Sequence, residues 1–83
     1  MELYQAEWCR ESHRVRQRLT DLGVDVVLRQ VPRDPEDRTE LRRVAGSDAI
    51  PVLVLEDGFP VCGGDEIVEA LDRFVRAAQP RIP

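Results

Sequence analysis

The chain contains no lysine, a single histidine, two cysteines and few aromatic residues. Each shortage excludes something. Two cysteines cannot staple a secreted scaffold, and in a reducing compartment both are expected as free thiols. One histidine and two cysteines supply no cluster with metal-ligand spacing, so no metal is expected. No apolar run nears the ~20 residues that span a bilayer. The start, Met1 to Cys9, lacks the basic and apolar stretches of a signal peptide, so a cytoplasmic address and no membrane contact are expected. All 12 basic residues are arginine, yet the net charge is −4. A nucleic-acid partner, which demands a net basic surface, is therefore excluded.

What is present is the composition of an ordinary soluble protein, 42% hydrophobic and 34% charged. Eighty-three residues suggest one small domain over 1–83, burying about 60% of its unfolded surface and too small for a deep substrate cavity. Residues 2–5, "ELYQ", suit a short strand with Leu3 and Tyr4 facing the core. From Arg10 onward, Val15, Leu19 and Leu22 form one helical stripe, closed by Gly23. "VDVVLRQV", Val24 to Val31, is β-branched and nearly continuous, the pattern of a strand buried on both faces.

A second helix is predicted with Asp34 as N-cap, Pro35 at its first position and Glu36 and Asp37 near its positive end. Its apolar face is Leu41, Val44 and Ala45, and Gly46 stops it. Val52 to Leu55 and Phe59 to Val61 then form a hairpin around Asp57-Gly58, with Pro60 marking the second arm as an edge. Asp65 caps a final helix whose buried stripe is Ile67, Val68, Leu71, Phe74 and Val75, with Gln79-Pro80 as its end. The order β-α-β-α-β-β-α, with one right-handed parallel crossover and an added hairpin, gives a four-stranded mixed sheet with three helices. This is an α/β, thioredoxin-like topology.

Cys9 stands where the first strand hands over to the first helix. A free thiol is a poor nucleophile until it ionises. At a helix start the unpaired N–H groups, here those of Glu11 and Ser12, stabilise the anion. Arg10 should assist as a nearby cation and Glu11 should oppose. Ser12 lies three residues on, where a second cysteine would make a redox pair. A dithiol cycle is thereby excluded, leaving a monothiol cycle in which a second small thiol resolves the mixed disulfide.

Three separated stretches resemble the glutaredoxins and, nearly as well, the amino-terminal domain of glutathione transferases. Cys9-Arg10-Glu11-Ser12 matches the family's C-x-x-C or C-x-x-S. Gly46-Ser47-Asp48-Ala49-Ile50-Pro51-Val52 matches G-x-x-T-V-P, which carries a cis proline. Cys62-Gly63-Gly64-Asp65-Glu66-Ile67 is similar to G-G-x-D-D-L. The resemblance spans essentially the whole chain. It implies a monothiol thiol–disulfide oxidoreductase with Cys9 as nucleophile and glutathione, or another small cellular thiol, as co-substrate. It also implies that Ile50 pairs its backbone with the extended thiol, that Pro51 presents that backbone, and that Gly64 and Asp65 receive the γ-glutamyl end. The implied partners are small thiols and disulfide-bearing proteins, and the expected state is a monomer.

Some positions depart from the family pattern. Ala6 and Asp48 stand where the family carries basic residues that hold the ligand's carboxylate, leaving Arg10, Arg42 or Arg43 as substitutes. Ala49 replaces the threonine, Arg10 the proline after the cysteine, and Cys62 the first glycine of G-G. A non-catalytic binding module for a small thiol or a protein is therefore the alternative reading. An Fe–S carrier is less favoured, because family members of that kind read C-G-F-S where this chain reads Cys9 to Ser12.

Accessory residues have two readings each. Trp8 fits either a cover or docking surface beside the thiol or partly buried packing. Cys62 fits strand-end packing better than a resolving role. His13, four residues after Cys9, fits a solvated helix position better than an ion pair with the thiol, and Arg14, Arg16 and Arg18 are expected on the solvated helix surface rather than as a binding stripe.

Overall fold

In the computed structural model, residues 1–78 are described. Strand β1 (Glu2–Gln5) leads into helix α1 (Arg10–Leu22), which is followed by β2 (Val27–Gln30). A 3-10 turn (Pro35–Asp37), α2 (Thr39–Ala45), β3 (Val52–Val54), β4 (Pro60–Cys62) and α3 (Gly64–Ala78) complete the order. The sheet runs β2-β1-β3-β4. β1 pairs parallel with β2 and antiparallel with β3, and β3 pairs antiparallel with β4. This is the four-stranded mixed sheet that the element order implies.

Alternation along β1 builds two cores, because successive side chains leave opposite faces of a strand. Leu3, with its neighbour Leu53, packs against Val15 and Leu19 of α1 and Ile67 and Leu71 of α3. Tyr4, Val52 and Val54 face the other way and pack against Leu41 of α2. Fully burying each aliphatic side chain is worth roughly 1.5–3 kcal/mol, so these two clusters fix both helix layers to the sheet. Gly23 ends α1 in the left-handed conformation, φ 67°, where its N–H reaches the carbonyls of Leu19 and Thr20.

Several sequence expectations are corrected. The stretch from Val24 to Val31 is not a strand buried on both faces. Only Val27–Gln30 is strand, all four residues are exposed, and β2 is a sheet edge. The helix expected from Asp34 is split. Asp34 does accept the Glu36 N–H as a cap, but of a single 3-10 turn, and Arg38 (φ −87°, ψ 52°) breaks the backbone before α2. The first hairpin strand ends one residue early, Val52–Val54, and the second is shifted by one residue, Pro60–Cys62. Asp65 sits inside the first turn of α3, and Phe74 is exposed while Ala70 is buried. The Gln79-Pro80 stop lies outside the described residues. No helix among the described residues is long and apolar enough to cross a membrane.

Candidate functional site

The topology gathers the resembled motifs at one end of the sheet. β1 leaves the sheet there through Ala6 to Cys9, and β3 enters it there from Pro51. Because Tyr4 is in register with Val52 and Val52 with Cys62, the ends of β1 and β4 flank the start of β3. Gly63 then donates its N–H to the Pro51 carbonyl at 3.1 Å, so the start of α3 is tied to the proline loop. The Ile50–Pro51 peptide is cis and Pro51 is buried. Among the described residues, neither the N–H nor the C=O of Ile50 takes a backbone partner.

Cys9 is the N-cap residue of α1, with extended backbone (φ −92°, ψ 121°), half-buried and free. Its N–H donates to Ala6 and its carbonyl accepts from His13, which fixes the turn. The sulfur makes no formal capping hydrogen bond, so dipoles set its charge. Partial burial pushes the thiol pKa up. The Ser12 hydroxyl and the N–H groups of Ser12 and Glu11 outweigh that, and the pKa lies below its ordinary value despite the opposing charge of Glu11. Arg10, exposed on α1, is not among the groups that lower it. The Ser12 hydroxyl and the helix start together supply the thiolate-favouring field.

Ser12 does more than exclude a second thiol. It is fully buried, its Oγ accepts the Ala6 N–H at 3.4 Å, and its hydroxyl serves the sulfur. Beneath the same loop lies a polar cluster unmarked by any sequence motif. Buried Gln5 bonds Gln30 at 2.9 Å and accepts from Arg16, which also reaches the Ala6 carbonyl at 3.4 Å and Glu7 at 3.1 Å. Arg16 is thus a brace for the Cys9 loop, not a solvated surface residue.

Arg38 is the second unexpected residue. It is only 7% exposed, and its guanidinium donates to the carbonyls of Pro32 (2.8 Å), Asp48 (2.8 Å) and Arg33 (3.0 Å). It therefore pins the stretch leading to Ile50 against the exit of β2. Its guanidinium and that of Arg33 also lie 5.8 Å and 4.7 Å from the Trp8 ring centroid. Trp8 is about half exposed, a surface aromatic held by cations beside Cys9 and not a packed core residue. A signal for Arg38 existed in hindsight: an arginine between a capped turn and a helix, three residues before Leu41 and so in line with that helix's apolar face. It names no partner carbonyls, so the site could not be read from it.

The far side of the site is acidic. Glu11 extends from α1 so that its carboxylate lies on Gly64, where a side-chain carbon would collide with Oε2. Arg14 bonds Asp65 and Glu11, joining α1 to the first turn of α3, and Arg18 pairs with Asp72 at 2.7 Å further along. These two arginines are likewise cross-links rather than free surface. Arg42 and Arg43 do not stand in for the missing cations. Arg42 donates to the Pro35 and Glu36 carbonyls and lies 3.8 Å from Asp48, and Arg43 pairs with Glu40. Cys62, expected as strand-end packing, is exposed at the end of β4. His13 is exposed on α1. Among the described residues no group of three His, Cys, Asp or Glu side chains is arranged to hold a metal ion. A broad surface cavity between β2 and α2, lined by Tyr4, Arg29, Glu40 and Arg43, does not include Cys9.

A two-core sheet, a thiol at the first helix start and a cis proline tied to the start of the last helix together define a protein of the thioredoxin-fold class. The glutaredoxin family model matches residues 1–59. The Gene 56 protein of Mycobacterium phage D29 is 30% identical over 74 residues, covering 87% of this chain and 82% of that protein. The chain belongs to the glutaredoxin family. Among solved structures, glutathione S-transferase 1-6 from Anopheles dirus species B superposes with a TM-score of 0.82 at 23% identity, over 100% of this chain and 41% of that one. A diazinon-metabolizing glutathione S-transferase in the silkworm, Bombyx mori, gives a TM-score of 0.80 at 26% identity, over 99% of this chain and 41% of that one. This chain spans about two fifths of the length of those transferases. Family and fold together connect it with thiol-dependent redox or glutathione-related chemistry.

Proposed function

We propose that this protein is a monothiol thiol–disulfide oxidoreductase with Cys9 as the nucleophile. One observation carries the reading. The only group poised for nucleophilic attack among the described residues is a half-buried thiol whose pKa is lowered by a helix start and a buried serine hydroxyl. The Cys9 thiolate attacks one sulfur of a disulfide, a new S–S bond forms, the old one breaks, and the displaced thiolate takes a proton from solvent. With Ser12 in place of a second cysteine, the mixed disulfide persists until the thiolate of a small thiol attacks it and returns Cys9. Glutathione, or another small cellular thiol, is that co-substrate. Its extended backbone pairs with the free N–H and C=O of Ile50, which Pro51 and Arg38 hold in position, and its amino-acid end faces Gly64 and Asp65. The oxidised partners are small disulfides and disulfide-bearing proteins, with Trp8 as a contact for the latter.

Intact mass after brief exposure of the reduced protein to glutathione disulfide tests the reading. A gain of one glutathionyl group is expected in wild type and Cys62→Ser and none in Cys9→Ser. An adduct that follows Cys62 instead, or alkylation of Cys9 with the pH dependence of an ordinary thiol, overturns it. A second reading, a thiol-binding module without turnover, is favoured by Glu11, whose charge opposes ionisation of Cys9. In that case glutathione binds, but Cys9 forms no adduct.

A further inference from the structure

Glu11 occupies ground that a co-substrate would need. Under the proposed function, the end of the thiol that carries its amino-acid group lies against the first turn of α3. The unpaired N–H groups of such a turn ordinarily welcome a carboxylate. Here a carboxylate of the protein's own already rests on Gly64, and Gly64 has no side chain to displace it. The local charges do not compensate. Two carboxylates, Glu11 and Asp65, share the single guanidinium of Arg14, and Arg14 reaches Glu11 only at 3.4 Å. An incoming carboxylate meets a like charge lying against Gly64 and an unbalanced negative pair, whereas an incoming ammonium meets two acceptors.

We infer that Glu11 is a specificity-determining residue that turns this end of the cleft against carboxylates. The disulfides that Cys9 exchanges fastest are those bearing an amine and no carboxylate at the α3 end, the class of aminothiol disulfides. The chemistry is unchanged: Cys9 bonds one sulfur of the aminothiol disulfide, the S–S bond breaks, and the other aminothiol leaves as a thiolate that solvent protonates. This inference rests on the proposed function but is separable from it. Glu11 also opposes ionisation of Cys9, which scales reaction with every disulfide alike. A ratio of two disulfides therefore isolates the recognition that Glu11 performs.

The test measures rates of Cys9 adduct formation with cystamine and with glutathione disulfide, in wild type, Glu11→Gln and Glu11→Ala, all in a Cys62→Ser background. Each cystamine-to-glutathione ratio is divided by the ratio for 2-mercaptoethanol attacking the same two disulfides, which removes their intrinsic difference in reactivity. Wild type is expected to favour cystamine by about tenfold on this scale, the effect of one charge-assisted hydrogen bond made or blocked. Glu11→Ala, which removes both bulk and charge, should bring the ratio down by about that factor. Glu11→Gln, which keeps the bulk, should fall between. Equal ratios in all three proteins overturn the inference, and if Cys9 adducts still form they leave the proposed function standing. Absence of any Cys9 adduct with either disulfide overturns both.

Discussion

Replacing Ser12 with alanine strips the Cys9 sulfur of its strongest single source of thiolate stabilisation. The buried hydroxyl is the first of the groups that lower the thiol pKa, ahead of the two backbone N–H groups, and burial works against all of them. A hydrogen bond to a charged group is worth about 1.5–3 kcal/mol. Because the sulfur has no formally aligned cap bond, the low end applies, and about 1.4 kcal/mol is a tenfold fall in the thiolate-to-thiol ratio. The remaining thiolate is more basic and intrinsically more nucleophilic, with a Brønsted slope of roughly 0.4–0.5. The net loss of rate well below the pKa is therefore about three- to fourfold. Iodoacetamide alkylation across a pH series, in a Cys62→Ser background, reads both quantities: the midpoint should rise toward the ordinary thiol value as the neutral-pH rate falls. Loss of the Ala6 N–H acceptor should also cost about 1 kcal/mol of stability, seen in urea unfolding. If the alkylation midpoint of Ser12→Ala matches that of wild type, the serine does not serve the sulfur and the account of Cys9 activation is wrong.

Two further predictions concern stability. The Cys9 pKa is lower in the folded chain than the ordinary value of 9.0, so the unfolded chain binds more protons between the two values and stability rises with pH there. That contribution is complete above pH 9.0 and is lost as pH falls through the folded pKa, so the stability gap between wild type and Cys9→Ala should widen from acid to alkaline pH in urea titrations. A gap that does not change with pH contradicts the lowered pKa. Arg38→Ala removes a buried cation and leaves three carbonyls without their donor, at a cost of about 3 kcal/mol. Arg38→Lys, which lacks the fork that spans those carbonyls, should recover less than half; a loss under about 1 kcal/mol for the alanine variant argues against the brace.

Much of the layout is legible in local sequence. The stripe of Val15, Leu19 and Leu22 and the stop at Gly23 delimit α1 because a helix exposes its period to any reader of the chain. β2 fails for an opposite reason: Val27 and Leu28 look like core residues, yet on an edge strand both stay exposed. Whether a β-branched run lies in the middle of a sheet or at its edge is settled by strand order, which no local pattern encodes. Arg14, Arg16 and Arg18 mislead in the same way. Their partners Asp65, Gln5 and Asp72 come from other elements and turn apparent surface charge into cross-links.

By itself, then, the sequence determined the position of a cysteine at the first helix start, a serine one turn on, a proline before β3 and a Gly63-Gly64 pair before α3. Those positions depend on local backbone preferences, which short segments carry with them. Only the tertiary structure decided that the serine is buried beneath the sulfur, that Arg38 locks the proline loop, and that Glu11 lies on Gly64. The seat of Glu11 on Gly64 joins groups far apart in the chain, while the burial of Ser12 and the grip of Arg38 need the surrounding loops to close over them. Electrostatic and hydrogen-bond energies fall off so steeply that such meetings are fixed only once the sheet and helices have packed.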